Sequence, residues 1–322
     1  MEKLSKLALF LFAAVCLAAP AAAQKYPERP VRVVVAYPPG GPTDLIARLV
    51  AQKLSESMGE QFIIDNRGGG NGIIGTDIVA KSQPDGYTVL FGTSSLASNG
   101  SLYPQLPYDA ATDLSPISLT ASTPYFLVVN AGLPVASVQE LIALAKEKPG
   151  QLNFASAGNG AGTHLAGEMF NLEAGVKLVH VPYRGTGPAV TDLVGGRVQV
   201  MFVGLPAVIE HVKAGKLRLL AVAEPKRSAL MPDLPTVAEA GVPGYESSAW
   251  FGFFGPAGMP LTKRSRLAEE MIRLMQGEEL RDRIVALGAV PLWSTPEEFE
   301  AYFGKEQVRY ERLIKEADIT LQ

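Results

Sequence analysis

Apolar and polar positions follow two alternating rhythms along this chain. Short β-branched or apolar runs at Arg32–Tyr37, Gln61–Asp65, Tyr87–Gly92, Leu152–Ser156, Lys177–Val181, Gln199–Val203 and Leu217–Val222 predict strands. Between them the spacing turns helical. Asp44 to Met58 sets Leu45, Leu49 and Leu54 near one face, and helices are predicted at Thr76–Ser82, Val138–Lys148, from Thr163 onward, and near Ala189–Val194 and Ala207–Ala214. Repeated strand–helix units predict an α/β fold with mainly parallel sheets covered by helices, and ligands at the carboxyl ends of the strands. Phe126–Asn130 and Trp250–Gly255 break the alternation: they are extended apolar runs with no helix directly after, and they read as links between two α/β lobes. Leu261–Gly288 and Pro296–Ala317 read as two long amphipathic helices packed on a lobe.

The first 23 residues change the picture. Lys3 and Lys6 precede an apolar run from Leu7 to Ala19 that is too short to span a bilayer, and Ala21-Ala22-Ala23 offers a cleavage site before Gln24. The expectation is an exported protein cleaved after Ala23 and resident in the periplasm. A retained membrane anchor is disfavoured by the break at Pro20. A lipid anchor on Cys16 is disfavoured because Val15 precedes it and Cys16 lies within the apolar run. Cys16 is the chain's single cysteine, so removing the signal leaves no thiol for a disulfide, a nucleophile or a metal site. Stability must then come from a core, which a 47% hydrophobic composition can supply. The formal charge of −3 becomes one unit more negative without Glu2, Lys3 and Lys6. Lys and Arg are dispersed, which argues against nucleic acid as a partner.

Two glycine-rich loops stand between a strand and a helix. One contains Pro38, Pro39, Gly40, Gly41, Pro42, Thr43 and Asp44; the other runs from Ser156 through Gly158, Gly160 and Gly162 to Thr163 and His164. Glycine lets backbone approach a ligand, and a helix start presents unpaired N–H groups, so two such ends across a cleft would clamp an anion. Thr43 and Thr163 suit helix N-caps. His164 could contact a ligand or cap its own loop, whereas His180 on a strand and His211 on a helix read as structural. Ser94, Ser95 and Asn99 follow a strand end and could donate to a carboxylate or form a turn. Arg184, in Pro182-Tyr183-Arg184-Gly185-Thr186-Gly187, could pair with an anion or lie solvated on the surface. Asp44 would repel an anion; it suits the first helical turn or an amine on the ligand.

Enzyme signatures are weak. Gly70-Asn71-Gly72-Ile73-Ile74-Gly75 matches the dinucleotide fingerprint, but the acidic residue expected about 20 positions later is replaced by Thr93-Ser94-Ser95. No cofactor is expected, and Gly70 and Gly72 more simply supply cleft amides or a tight turn. Gly92-Thr93-Ser94-Ser95-Leu96 lacks the last glycine of a nucleophile elbow, and the three histidines include no i, i+4 pair for zinc. A secreted hydrolase for an anionic substrate is the enzymatic alternative.

Tyr26-Pro27-Glu28-Arg29-Pro30, Tyr37-Pro38-Pro39-Gly40-Gly41, Asp65-Asn66-Arg67, Pro84-Asp85-Gly86-Tyr87, Val181-Pro182-Tyr183-Arg184-Gly185 and Pro235-Thr236-Val237-Ala238-Glu239-Ala240-Gly241 occur in that order. Together they resemble the Bug-type solute-binding receptors of tripartite tricarboxylate transporters, over nearly all of the chain after the signal. The resemblance implies a two-lobed, type II periplasmic-binding-protein fold, with residues 24–125 and 226–322 in lobe 1 and 126–225 in lobe 2. It implies a monomer that closes on a small carboxylate and hands it to membrane permease subunits, with no chemical step. It also implies ligand contacts from backbone amides and hydroxyls of the strand-end loops: Tyr37, Pro39, Gly40, Gly41 and Asp44; Gly70 and Gly72; Thr93 and Ser94; Ser156, Gly158, Gly160, Thr163 and His164; Arg184 and Gly185. Tyr37 replaces a common phenylalanine, and Gly68 and Asn71 alter the usual turn. A sensor feeding a kinase would share these features, and neighbouring permease or sensor genes would separate the two roles.

Overall fold

The computed structural model describes residues 26–228 and 231–320. The expected signal, residues 1–23, lies outside them. Strands β1 (Val31–Val35), β2 (Phe62–Asn66) and β3 (Thr88–Thr93) are parallel, in the order β2-β1-β3, with Val31 opposite Phe62 and Arg32 opposite Thr88. β9 (Ser248–Pro256) lies antiparallel beside β3 and against the first part of β4 (Leu114–Asn130). β4 is 17 residues long and changes partners along its length. Residues up to Pro124 pair with β9; from Tyr125 onward it runs antiparallel to β7 (Val200–Gly204) and β8 (Leu217–Val222). β5 (Asn153–Ser156) and β6 (Val179–Pro182) continue that second half in parallel with β7. One strand is thus shared by two α/β halves, and the chain returns from β8 to β9 through residues 223–247.

This corrects one expectation. Trp250–Gly255 is no link: it is the centre of β9, inside the first sheet half, with Trp250 and Phe253 fully buried. Phe126–Asn130 does belong to the shared strand. Helix α1 (Pro42–Met58) covers the first half, where Ile46, Val50 and Leu54 pack with Phe91, Phe253 and Met271. Leu49 and Leu54 are buried as expected, and so are Ala47, Val50 and Ala51, but Leu45 is 42% exposed and Ile46 points inward instead. The expected helix over Leu261–Gly288 is two, α8 (Leu261–Gln276) and α9 (Glu278–Ala286), because Gly277 takes an extended ψ of 147 and ends the hydrogen-bond run. The last helix, α10 (Pro296–Glu316), starts with a reciprocal Thr295–Glu298 capping box. Its Phe299 and Phe303 pack edge-on against Trp250. One core cluster runs unbroken from Phe254 and Trp250 to Leu127, Phe154 and Phe202, so both sheet halves share apolar packing.

The family motifs have structural work to do here. Tyr26 donates to the Gly86 carbonyl (2.5 Å), and Arg29 pairs with Asp85 (2.8 Å) while lying over the Tyr87 ring. Thr236 and Glu239 cap one another beside β8: the Thr236 amide donates to the Glu239 carboxylate, and the Glu239 amide donates to the Thr236 hydroxyl. None of these residues lines the cavity between the two sheet halves.

Candidate ligand-binding site

A cavity of about 500 Å³ opens between the two sheet halves, a size suited to a small organic ligand. Four helix starts reach its wall: Pro42 and Thr43 of α1, Ser94 and Ser95 at α3 (Ser95–Leu102), Gly162 and Thr163 of α5 (Gly162–Ala174), and Thr186 of α6 (Thr186–Val194). Thr43, Gly162, Thr163 and Thr186 present amides that their own helices cannot use. Pro42 has none, and the Ser94 amide donates to the Trp250 carbonyl (3.0 Å), leaving its hydroxyl for the cavity. The aligned peptide dipoles place partial positive charge at each start. Among the described residues, no Asp, Glu, Lys, Arg or His lines the cavity. The rest of the wall is largely apolar, including Leu165, Val203, Phe251 and Leu287. An anion held here would meet amides and hydroxyls only.

The expected N-caps are corrected. Gly41 and Ala161 occupy the cap positions of α1 and α5, and Thr43 and Thr163 sit one residue inside each helix. Pro42 starts α1 early because its fixed φ suits the first helical position. Helix α3 was not expected at all; Ser94 and Ser95 open a helix rather than a turn.

The loop before α1 is shaped by a buried carboxylate. Asp44 accepts from the Gly40 amide (2.9 Å), from Arg48 (2.9 Å) and from the Asn66 side chain (2.8 Å). Burial alone would push its carboxyl up. The bonds from Arg48, Gly40 and Asn66 outweigh that and hold it below the ordinary carboxylate value. Asp44 is 2% exposed and absent from the cavity wall; Pro39, Gly40 and Gly41 are more exposed and are absent from the wall too. Tyr37 is in the wall; its hydroxyl bonds to Thr93 Oγ1 (3.0 Å) and Ser95 Oγ (2.8 Å), which also bond each other (2.9 Å).

The second glycine loop is pinned from behind in the same way. Thr163 Oγ1 accepts from the Ala157 amide (2.9 Å), and His164 Nδ1 accepts from the Gly160 amide (3.1 Å). An accepting Nδ1 puts the proton of neutral His164 on Nε2, facing Glu168 at 3.7 Å. The His164 ring stacks on His180 at 3.8 Å, and His180 Nε2 meets Ser156 Oγ at 2.6 Å. Burial, together with the charge His164 would carry, lowers the His180 pKa to about 4. Gly160 and Thr163 line the cavity; Ser156, Gly158 and His164 lie behind them. Gly158 has φ +139, a value L side chains rarely adopt.

The remaining expected contacts divide as follows. Thr93 and Ser94 line the cavity. Asn71 does too, but its neighbours Gly70 and Gly72 instead shape the positive-φ turn that presents it. Arg184 is exposed and outside the wall, and Gly185 donates its amide to the Ala157 carbonyl (3.0 Å) as the cap of α6. Tyr125, Phe251, Leu287 and Tyr310 line the cavity from separate elements, and no spacing in the chain marks them.

Comparison with known proteins decides the family. A model described as "Tripartite tricarboxylate transporter family receptor" matches residues 46–319. The chain belongs to this receptor family. Members are periplasmic receptors that serve three-part transporters. This receptor is 39% identical over 308 residues to the protein BugT of Bordetella pertussis, covering 95% of this chain and 94% of that one. Among solved structures, the R. palustris protein Rpa4515 with adipate is 38% identical with a TM-score of 0.77, covering 92% and 99% of the two chains. MatC from Rhodopseudomonas palustris with bound malate is 30% identical with a TM-score of 0.72, covering 90% and 100%. Its relatives are solute-binding receptors rather than enzymes, and its fold is the curled α/β sheet of periplasmic binding proteins.

Proposed function

We propose that the receptor captures a small carboxylate in the cavity between two lobes and delivers it to the membrane permease subunits of a tripartite tricarboxylate transporter. The observation that carries this reading is the convergence of four helix starts on one cavity whose wall, among the described residues, holds no formally charged side chain. Each favourable helix end contributes roughly 0.3–1 kcal/mol to a nearby anion, and up to about 2 kcal/mol when partly buried. The adipate and malate held by two relatives support the same ligand class. Lobe 1 comprises 24–125 and 226–322 and lobe 2 comprises 126–225, with ligand binding shifting an open–closed equilibrium about β4 and the return segment. Of the sixteen residues expected at the site, Tyr37, Thr93, Ser94, Gly160 and Thr163 touch the ligand in this reading, Arg184 stays in solvent, and the others shape the loops that present the contacts.

A thermal-shift screen of mono- and dicarboxylates, sugars and polyamines tests this function. A ligand at ~100 times its Kd should stabilise the protein by roughly 2.7 kcal/mol. Shifts with carboxylates alone support the reading; shifts confined to sugars or polyamines refute it. The protein exported from cells should be a monomer beginning at Gln24, which N-terminal sequencing and light scattering check directly.

A further inference from the structure

We infer that the hydroxyls of Tyr125 and Tyr310 are ligand-binding donors, and that Tyr125 shares the ligand's carboxylate with the Gly162 and Thr163 amides of α5. The inference rests on the carboxylate-receptor reading and adds to it which side chains complete the site.

Tyr125 sits where β4 passes from one sheet half to the other. Its backbone is fixed on both sides, opposite Gly204 of β7 and accepting from the Ala223 amide (2.8 Å). Its hydroxyl lies against the first residue of α5: a side-chain carbon on Gly162 would collide with the phenol oxygen. Gly162 and Thr163 both line the cavity, and no hydrogen bond among the described residues uses their amides. Three donors therefore stand together at this end of the wall. Tyr310 reaches the same cavity from α10 and is 3% exposed. Neither phenol has a hydrogen-bond partner among the described residues, in contrast to Tyr37, whose hydroxyl is held by Thr93 and Ser95. Neither oxygen is sealed in the interior; with no protein partner and the cavity beside them, both are open to donate a hydrogen bond to a ligand's carboxylate.

The chemistry agrees. Burial raises both phenols well above their ordinary value, Tyr125 further through Tyr37 and Tyr310 through Glu306 and Tyr125. They stay protonated, and so remain donors, at any pH a periplasm meets. A neutral donor favours the carboxylate without the charge neutralisation an arginine would bring, so the wall accepts acids with a substantial apolar body against Phe251, Leu165 and Leu287.

The test is calorimetric titration of wild type, Tyr125→Phe and the Tyr125→Phe/Tyr310→Phe pair with benzoate, succinate, malate and adipate. Removing one hydrogen bond to a charged group should weaken the tightest-binding acid about 10- to 100-fold in Tyr125→Phe, and further in the pair, with the melting temperature without ligand unchanged or raised. Wild-type affinity in the pair overturns the inference and leaves the receptor reading intact. Failure of wild type itself to bind any of the four acids counts against that reading instead. Should a variant not fold, the ζ-carbon resonance of Tyr125 in wild type gives the answer: it should move when the acid is added, and an unmoved resonance contradicts the assignment.

Discussion

Replacing Asp44 by alanine tests whether the first loop is built by a carboxylate behind it. The substitution removes the acceptor for three donors: the Gly40 amide, the Arg48 guanidinium and the Asn66 side-chain amide, at 2.9, 2.9 and 2.8 Å. Arg48 is about half exposed and regains water, so its loss is discounted. Gly40 and Asn66 each lose a bond to a charged acceptor, and together the change should cost about 2–4 kcal/mol. At about 2–4 °C per kcal/mol, the melting temperature should fall roughly 4–16 °C at pH 7, toward the lower end for a chain of this length. Because the folded carboxyl is held below its ordinary value, its stabilisation is fully present above the unfolded value near 3.9 and is lost as pH falls through the folded one. The gap between wild type and variant should therefore be constant from pH 7 to about 5 and shrink below about 4. Urea unfolding across that range measures it. An unchanged melting temperature at pH 7, or a gap that widens in acid, refutes the argument.

Three further outcomes are expected. Gly160→Val should abolish carboxylate binding by calorimetry, because Gly160 has φ +71 and its residue lines the cavity; wild-type affinity would make the loop a mere turn. Gly167→Ala should lower stability by about 1–3 kcal/mol in urea unfolding, since the added carbon collides with the buried Phe154 ring. His180, held neutral with a pKa lowered to about 4, should make wild type lose stability as pH falls from about 6.5 toward 4, because the unfolded chain takes up the proton first. His180→Asn should flatten that part of the profile, and an equally steep loss in the variant would exclude His180 as its source.

The frame of this receptor is legible in its sequence because it rests on local rules. Periodicity finds most strands to within a residue or two, as with Leu217–Val222, and Gly277 and the Ser95 helix escape because a single extended glycine and a short helical turn carry little periodic signal. The motifs that carry the family resemblance also prove readable, but chiefly as fasteners. Asp65-Asn66-Arg67 holds Arg32 and Asp44, and the Tyr26 and Tyr87 motifs hold one another. The cavity wall is a different matter. Tyr125, Phe251 and Tyr310 come from β4, β9 and α10, brought together only by sheet pairing and core packing. Each looks like an ordinary core residue in its own element. Asp44, Ser156 and His164 show the converse: polar residues beside glycine loops suggest ligand contact, yet their partners are the loop amides themselves.

A crystal structure of the protein loaded with its tightest-binding carboxylate tests the central claim most directly. The account predicts a carboxylate whose oxygens lie within hydrogen-bond distance of the Gly162 or Thr163 amides, with no arginine, lysine or histidine side chain touching it. A carboxylate paired with Arg184, or bound outside the cavity lined by Thr43, Ser94 and Thr163, would contradict it.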